Sequence, residues 1–286
     1  MVFERTKKAL RSKLGAAMHW KIILTYDGTP YNGWQIQPNL PTIQGTLAQT
    51  IQHITGETVL PQGSGRTDTG VHALAQVATF SLSAPIPALN FHRALNRALP
   101  PSIRVLSVES VPEDFHARHS ALRKTYEYRI LPGGQDAPIC SPMLAPYVWP
   151  CRYSLDLATL QQTATHILGT HDFTSFAAND PDLTTRSEQP ADGDLHSTPN
   201  SLLSGACLTR TIYHSAWHQQ NDLLIYRITG NGFLHHMVRN LVGTFVEAGA
   251  SRISADRIPK ILAERNRSAA GPTAPASGLF LVEVEY

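Results

Sequence analysis

The chain has 286 residues, of which 42% are hydrophobic and 16% are charged, and its formal net charge is +2. This length suffices for one large domain or two modest ones, and no apolar run approaches the ~20 residues that a membrane-spanning helix needs. The charge is uneven, because residues 1–150 contain 14 Lys and Arg against 9 Asp and Glu. A basic, arginine-rich half suits a polyanionic partner such as nucleic acid, although many unrelated enzymes share this bias.

The first 19 residues are predicted to be a basic extension ahead of the fold. Their Lys and Arg residues lie between Arg5 and Lys13, and they lack the apolar core of a signal peptide. The three cysteines, Cys140, Cys151 and Cys207, are widely spaced and odd in number, which argues against a disulfide framework and against a structural zinc site. The cysteine pattern favours a reducing cytoplasm.

Residues 20–118 are predicted to form an α+β half with the element order β-α-β-β-α-β. Apolar runs and alternation predict its strands, and apolar residues three and four positions apart predict its helices. The predicted strands are Trp20–Tyr26, Thr58–Leu60, Leu74–Leu82 and Ile103–Val111, and the predicted helices are Thr42–Ile54 and Ala88–Leu99. The residues predicted to face inward from the second helix are Leu89, Ala94, Leu95 and Leu99.

Between the second and third predicted strands lies the sequence GSGRTDTGVHA, residues Gly63–Ala73. Its single carboxylate, Asp68, has glycines on both sides, which allow positive φ angles or the close approach of a ligand. Arg66 and Thr67 can hydrogen-bond this carboxylate and keep it ionised. An Asx-type turn between two strands would use the same residues, so the pattern alone leaves a structural and a catalytic interpretation open.

Several chemistries are disfavoured for this loop. No Lys-Ser/Thr pair follows the glycines, so it is not a P-loop, and no predicted helix opens after Gly70 as a dinucleotide-binding fold requires. A second acid for a glycosidase pair is not nearby in sequence, although such a partner can come from a distant part of the chain.

Residues 119–286 are predicted to form a second α+β half. The predicted strands are Thr125–Leu131, Cys207–Trp217, Leu223–Thr229 and Leu279–Tyr286, and the predicted helices are Leu155–Leu168, Phe233–Ala248 and Ala255–Leu262. Two split β-α-β units in tandem predict a duplicated, ferredoxin-like α+β architecture. The polar, acidic stretch at about 178–205 is predicted to be a flexible insert, and Gly271–Ser277 a shorter linker of the same kind.

Two further stretches contain candidate binding residues. In Arg123–Arg129 the strand pattern puts Tyr126 and Tyr128 on one face, after two basic residues, which suits either base stacking or packing in the core. Arg239 lies on the predicted helix Phe233–Ala248, which has little exposed surface. A partly buried guanidinium needs an anionic partner, which is either a structural acid or a ligand.

The histidine clusters do not predict a metal site. His116 and His119 are three residues apart, but no carboxylate or cysteine completes the set. His235 and His236 would point about 100° apart on the predicted helix, so one metal ion cannot easily take both. Structural or RNA-facing histidines are favoured at these positions.

Six motifs follow one another along the chain: YDGTPYNGWQIQP at Tyr26–Pro38, GRTDTGVHA around Asp68, TYEYR around Tyr126, HDFTSF at His171–Phe176, GNGFLHHMVRN at Gly230–Asn240 and GLFLVEVEY at Gly278–Tyr286. In this order they resemble the TruA family of tRNA pseudouridine synthases. The resemblance covers roughly residues 20–286. It departs from the family at the N-terminal extension and at the acidic insert, which is longer than usual.

The resemblance implies an isomerase that converts uridine to pseudouridine at positions 38, 39 and 40 of the tRNA anticodon stem-loop. It also implies a homodimer that needs no cofactor or metal, and two α+β halves whose mainly antiparallel sheets join around a central cleft. By residue-wise transfer, Asp68 is the catalytic aspartate and Tyr126 stacks on the target base. The same transfer makes Arg66 and Arg239 basic partners in the pocket.

The implied reaction explains a loop with a single carboxylate. Moving C1′ from N1 to C5 of the base involves no net redox change and no water, so one ionised group can serve as nucleophile or proton acceptor. The uridine has to leave its stack to be reached, and an aromatic face can hold it. Two other interpretations are weaker. A glycoside hydrolase or N-glycosylase would release a free base and lacks an evident second acid, and the intact GRTD sequence argues against a silent tRNA-binding module.

Overall fold

The structure is a computed structural model, and it describes residues 17–178 and 208–286. The predicted basic extension up to residue 16, nearly all of the predicted insert, and Cys207 lie outside the described residues. The described chain contains five α-helices and ten mostly antiparallel β-strands, which confirms the predicted mixture of helices and strands. It divides into two compact units: one comprises the described residues up to Glu127 together with Ala276–Tyr286, and the other comprises Tyr128–Pro275.

The elements have the following bounds. The strands are β1 (Met18–Tyr26), β2 (Gln62–Gly63), β3 (His72–Leu82), β4 (Ile103–Ser110), β5 (Arg123–Leu131), β6 (Trp149–Pro150), β7 (Gly169–Asp172), β8 (Thr209–Gln220), β9 (Leu223–Gly230) and β10 (Leu279–Glu285). The helices are α1 (Ile43–Thr55), α2 (Ala88–Ala98), α3 (Leu157–Thr165), α4 (Met237–Gly249) and α5 (Arg257–Glu264). None of the helices in the described parts of the chain combines the length and the apolar character needed to cross a bilayer.

In the first unit the strand order is β4-β1-β3-β10, and β2 also pairs with β3. β1 is antiparallel to β3 and to β4, whereas β10 runs parallel to β3, with Phe280 opposite His72. Alternate residues of β1 are buried, as expected for a strand with one face on the core. The Thr42 side chain accepts from the Gly45 backbone N–H at the start of α1, and Gly56, with φ 76°, ends the helix, so local capping sets both bounds.

In the second unit β9, β8 and β7 are antiparallel neighbours, and β6 runs parallel to the end of β5. Helix α4 packs on this sheet and has 11 of its 13 residues buried. The ring of its Phe245 meets Tyr226 edge-on at 5.5 Å, and Tyr226 stacks on Trp217 at 4.9 Å. The largely buried circumference predicted for this helix is confirmed.

Two predicted helix bounds in the second unit are wrong. Helix α4 begins at Met237 rather than at Phe233, because His236 has φ 58°, a left-handed conformation that does not continue a helix. Helix α3 ends at Thr165 rather than at Leu168, and Gly169, with φ 93°, opens the unpredicted strand β7. Apolar periodicity continues through both regions and therefore does not mark where the helical geometry stops.

Two predictions in the first unit are also wrong. Thr58–Leu60 is not a strand, and the short strand β2 lies at Gln62–Gly63 instead. In α2 the side chain of Leu89 is 59% exposed, whereas Phe91 and Leu95 are buried. Phe91 packs edge-on against Trp20 of β1 at 5.6 Å, and it is therefore Phe91 that occupies the inward face.

The linker predicted at Gly271–Ser277 is not flexible: its residues 271–275, which belong to the second unit, are packed. We call residues 271–275 the strap. A Cβ atom on Gly243 of α4 would lie only 1.7 Å from the Pro272 carbonyl oxygen, so the strap crosses the helix where a side chain is missing. The Gly271 N–H donates to Thr244 Oγ1 at 2.9 Å, and Ala274 is 1% exposed.

Candidate active site

Asp68 lies in the loop that joins β2 to β3. The Val71 N–H donates to the Asp68 carbonyl oxygen at 3.0 Å, and the Trp34 N–H donates to the Thr67 carbonyl oxygen at 3.0 Å. Gly33 approaches so closely that a Cβ atom on it would lie 2.6 Å from the Thr67 oxygen, and its φ is +81°. Only glycine combines that backbone conformation with that approach. Residues 33 and 34 therefore hold the loop backbone directly before Asp68.

The glycines around Asp68 have two different roles. Gly70 has φ +76°, which allows the chain to turn back into β3. Gly65 leaves room for Lys124, whose Nζ would lie 3.2 Å from a Cβ atom at that position. The Lys124 ammonium donates to the Ser64 carbonyl oxygen at 2.5 Å. One of the two basic residues that precede Tyr126 is therefore bound to the loop that carries Asp68.

Asp68 and Arg66 are both half-buried, and Tyr126 lies within reach of the Asp68 charge. Burial raises the pKa of Tyr126 well above its usual value, and the charges of Tyr26 and Asp68 raise it further. The Tyr126 phenol is therefore neutral at physiological pH. The first unit thus brings together three of the four predicted site residues, Arg66, Asp68 and Tyr126.

Tyr26, at the end of β1, contacts Thr67, the residue that precedes Asp68. Its hydroxyl lies 2.8 Å from Thr67 Oγ1, and its side chain is buried. Burial raises the pKa of Tyr26 to about 12, although hydrogen bonds from Thr67 and Gln76 oppose the rise. Tyr26 is therefore a neutral donor and acceptor next to the residue that precedes Asp68.

Arg239 belongs to the second unit, where it is the third residue of α4. It is half-buried, as predicted, and its Nε donates to the carbonyl oxygen of Ala274 at 2.8 Å. The Ala274 N–H donates back to the Arg239 carbonyl oxygen at 3.1 Å, so the strap and the first turn of α4 exchange two hydrogen bonds. Burial raises the pKa of Tyr128, and the positive charge of Arg239 opposes that rise.

Comparison with known protein families places this loop and this helix in one family. The chain matches the family described as tRNA pseudouridine synthase over residues 22–120 and 163–286, which is well over half of its length. The chain belongs to the tRNA pseudouridine synthase family. The resemblance seen in the six motifs is therefore confirmed.

Similar proteins align with nearly the whole chain. The tRNA pseudouridine synthase A of Solibacter usitatus is 46% identical over 93% of this chain and 98% of its own length. The proteins of the same name from Halalkalibacterium halodurans and Acetivibrio thermocellus are 42% and 40% identical, over 90% and 93% of this chain and 88% and 98% of their own lengths. The similarity to tRNA pseudouridine synthases is therefore not confined to one half of the chain.

The family match covers the predicted site residues unequally. Arg66, Asp68 and Arg239 lie within the matched residues, whereas Tyr126 falls between the two matched segments. The structure brings Tyr126 and Asp68 together in the first unit, while Arg239 lies in the second. The roles of all four residues stay predictions.

The argument from helical spacing at His235 and His236 is wrong. Both residues precede α4, so they are not 100° apart on a helix, and their ring centroids lie 3.9 Å apart with an angle of 32° between the planes. His116 and His119 also lie side by side, at 4.4 Å. Burial lowers the pKa of His116, and the positive charges of His119 and Arg118 lower it further.

Sequence reasoning did not single out several residues that hold the site. Gly33, Trp34, Tyr26 and Gln76 all contact the Asp68 loop or the residues next to it. Gln76 carried a signal, because it is a polar residue inside the apolar run LAQVATFSL. A polar side chain at an inward strand position needs internal hydrogen-bond partners, and Gln76 is fully buried.

Proposed function

We propose that this chain isomerises uridine to pseudouridine in tRNA and that Asp68 supplies the catalytic carboxylate. Membership of the tRNA pseudouridine synthase family and its full-length relatives support the reaction. The observation that carries the role of Asp68 is the geometry of its loop. A half-buried carboxylate sits next to a buried, neutral tyrosine, on a backbone that Gly33 and Trp34 hold in place.

The reaction needs little else from the protein. The C1′–N1 glycosidic bond breaks, the base turns, and a C1′–C5 bond forms, while C5 loses a proton and N1 gains one. Atoms and electrons balance without water, oxidant or reductant. One carboxylate can act as the nucleophile, at the sugar or at the base, and can accept the C5 proton.

The remaining predicted site residues take supporting roles in this proposal. A uridine in a folded RNA has to leave its stack, and the Tyr126 ring offers a face to hold it. The raised pKa of Tyr126 keeps its phenol neutral, so it adds no negative charge next to Asp68 and does not repel an RNA phosphate. Arg66 and Arg239 are the basic partners that balance the negative charge of the RNA.

Several finer features complete the proposal. The RNA is the tRNA anticodon stem-loop, with targets at positions 38, 39 and 40, and the enzyme is a cytoplasmic homodimer. The fold is a pair of ferredoxin-like halves, at about residues 20–118 and 119–286, with a joined sheet and a central cleft. The element order β-α-β-β-α-β of the first unit, with β1 between β3 and β4, supports the ferredoxin-like assignment. Sedimentation of the purified protein tests the dimer.

Tritium release tests the reaction directly. Transfer RNA labelled with tritium at uridine C5 is incubated with the purified protein, and both water and free uracil are assayed. Isomerisation releases tritium to water without free uracil, whereas an N-glycosylase releases uracil and a silent binding module releases neither. Stem-loops that retain a single uridine, at position 38, 39 or 40, then identify the target.

An Asp68→Asn variant tests the role of the carboxylate. The amide has the same shape but is a poor nucleophile and base, so turnover should fall below roughly 1% while tRNA binding stays within a few-fold. The matched control is Asp114→Asn, an exposed aspartate of the same unit, which should keep full activity. Substantial residual turnover in Asp68→Asn would remove Asp68 from the chemistry.

A further inference from the structure

The side chain of Gln76, on β3, is completely buried directly behind the Asp68 loop. Its Nε2 donates to the Gly65 carbonyl oxygen at 3.0 Å, and its Oε1 accepts from Ser64 Oγ at 2.6 Å. Oε1 also accepts from the Val77 N–H at 3.2 Å. One amide therefore binds the two residues at which the chain leaves β2 for the Arg66-Thr67-Asp68 segment.

The orientation of this amide is fixed by its partners. The Gly65 oxygen can only accept and the Val77 N–H can only donate, so exchanging nitrogen and oxygen would break both hydrogen bonds. A second link reaches the loop through Tyr26. Gln76 Nε2 lies 3.5 Å from the Tyr26 hydroxyl, a long contact, and that hydroxyl lies 2.8 Å from Thr67 Oγ1. The Gln76 amide therefore binds residues 64 and 65 before Arg66 and, through Tyr26, contacts Thr67 after it.

The buried neighbours of Gln76 on β3, Val77 and Ala78, are apolar, so an apolar side chain would suit its surroundings. Such a residue would, however, leave the buried Ser64 hydroxyl and the Gly65 carbonyl oxygen without this partner. What an apolar residue cannot do is bind Gly65 and Ser64 at defined distances. The network therefore specifies where the loop lies.

We propose that Gln76 is a positioning residue that sets the place of Asp68 through Gly65, Ser64 and the Tyr26–Thr67 contact. The inference rests on the proposed function, because it assigns Gln76 to the reaction of Asp68. A loop tied at residues 64, 65 and 67 leaves the Asp68 backbone little freedom to move relative to the Tyr126 ring. Reaction rates respond to displacements of about 1 Å by as much as ~100-fold, whereas substrate binding over a large RNA surface does not.

The test compares Gln76→Met with Thr79→Val. Methionine keeps the length of glutamine but makes no hydrogen bonds to the loop. Thr79 is a buried polar residue of the same strand whose Oγ1 accepts from the Ala117 N–H at 3.3 Å, away from Asp68. Single-turnover rates, tRNA affinity and melting temperature are measured for both variants and for wild type. The single-turnover rate of Gln76→Met should fall roughly 10- to 100-fold, with tRNA affinity within about threefold of wild type.

A second variant, Tyr26→Phe, keeps the inference testable if Gln76→Met does not fold. It removes one hydroxyl from the network and should lower the single-turnover rate by roughly 3- to 10-fold. In the double variant the two losses should be less than additive, because both substitutions release the same loop, whereas Gln76→Met and Thr79→Val should add.

The outcomes separate this inference from the proposed function. A wild-type protein that releases no tritium refutes the proposed function itself. If the wild type is active, two results would refute the positioning role alone. One is a wild-type rate in Gln76→Met, and the other is a loss of rate in Thr79→Val as large as that in Gln76→Met. If only Tyr26→Phe folds, a wild-type rate in that variant refutes the positioning role.

Discussion

Two glycines with nearly the same backbone conformation allow the geometry of the Asp68 loop to be tested separately from stability. Gly33 has φ +81° and Gly56 has φ +76°. A Cβ atom on Gly56 would meet nothing within 4 Å, whereas one on Gly33 would lie 2.6 Å from the Thr67 oxygen and 3.1 Å from the Asp68 carbonyl carbon. Alanine at either position is strained in the left-handed region, but only at Gly33 does it push on the loop.

The magnitudes follow from these contacts. The left-handed conformation costs an alanine about 1–2 kcal/mol at both positions. At Gly33 the new methyl group must also gain about 0.8 Å to reach ordinary contact with the Thr67 oxygen, and such overpacking costs about 1–3 kcal/mol. We expect Gly33→Ala to lose roughly 2–5 kcal/mol of stability and up to ~100-fold in turnover, since Asp68 moves with the loop. Gly56→Ala should lose stability alone.

The assay is tritium release under single-turnover conditions at a temperature at which both variants are fully folded, with urea unfolding to measure stability. Normal turnover in Gly33→Ala would show that the place of the Asp68 loop does not limit the reaction. An equal loss of turnover in Gly56→Ala would show that general destabilisation accounts for the effect.

Three further predictions concern the other predicted site elements. Because burial raises the pKa of Tyr126, its phenol stays neutral up to and beyond its usual pKa near 10. Tyr126→Phe should therefore leave the alkaline limb of the pH–rate profile unchanged, while Tyr126→Ala should lose turnover. Equal stability losses with normal turnover in both variants would make Tyr126 a core residue. Binding of tRNA should follow a log–log salt slope of about −3 to −4 for ~4–6 phosphates, and a flat salt response would refute RNA binding. Arg239→Ala should lower turnover more than it changes this slope, whereas the exposed control Arg257→Ala should not lower turnover more than it changes the slope. Gly243→Ala should displace the strap, because its Cβ would lie 1.7 Å from a backbone carbonyl oxygen, and lower stability by about 1–3 kcal/mol. In Gly249→Ala the new Cβ would lie 2.9 Å from the buried side chain of Leu160, which can shift more easily than backbone, so the loss measured by thermal unfolding should be smaller.

Local signals predicted the parts of the fold that depend on neighbouring residues. The alternation in β1 and the cap residues of α1 lie within a few positions of the elements they define, and both elements were predicted within two residues of their bounds. The Asp68 loop was found for the same reason, since its glycines and its carboxylate are consecutive. Capping and turn chemistry act over short distances and can therefore be read from a sequence.

Contacts between distant residues were not predicted. The strap was interpreted as a flexible linker because Gly271–Ser277 has the composition of one, and its packing depends on Gly243, which is 29 residues from Pro272 in sequence. A glycine inside an apolar helix was the available signal, since it costs helix stability and leaves a groove into which a backbone can fit. The start of α4 was missed because the left-handed φ of His236 has no signature in a run of apolar periodicity.

The position of Asp68 depends on three segments that are far apart in sequence. Gly33 and Trp34 hold the loop from the turn after β1, Gln76 holds it from β3, and Lys124 holds it from β5. These contacts are made to the carbonyl groups of residues 64, 65 and 67, and Gln76 also accepts from the Ser64 hydroxyl, so the chain is held just before Asp68. We therefore expect substitutions at Gly33 or Gln76 to displace the loop and leave the reacting groups chemically intact. Substitutions of the proposed catalytic residues are expected to change the pH dependence of the rate, and substitutions of the positioning residues its magnitude.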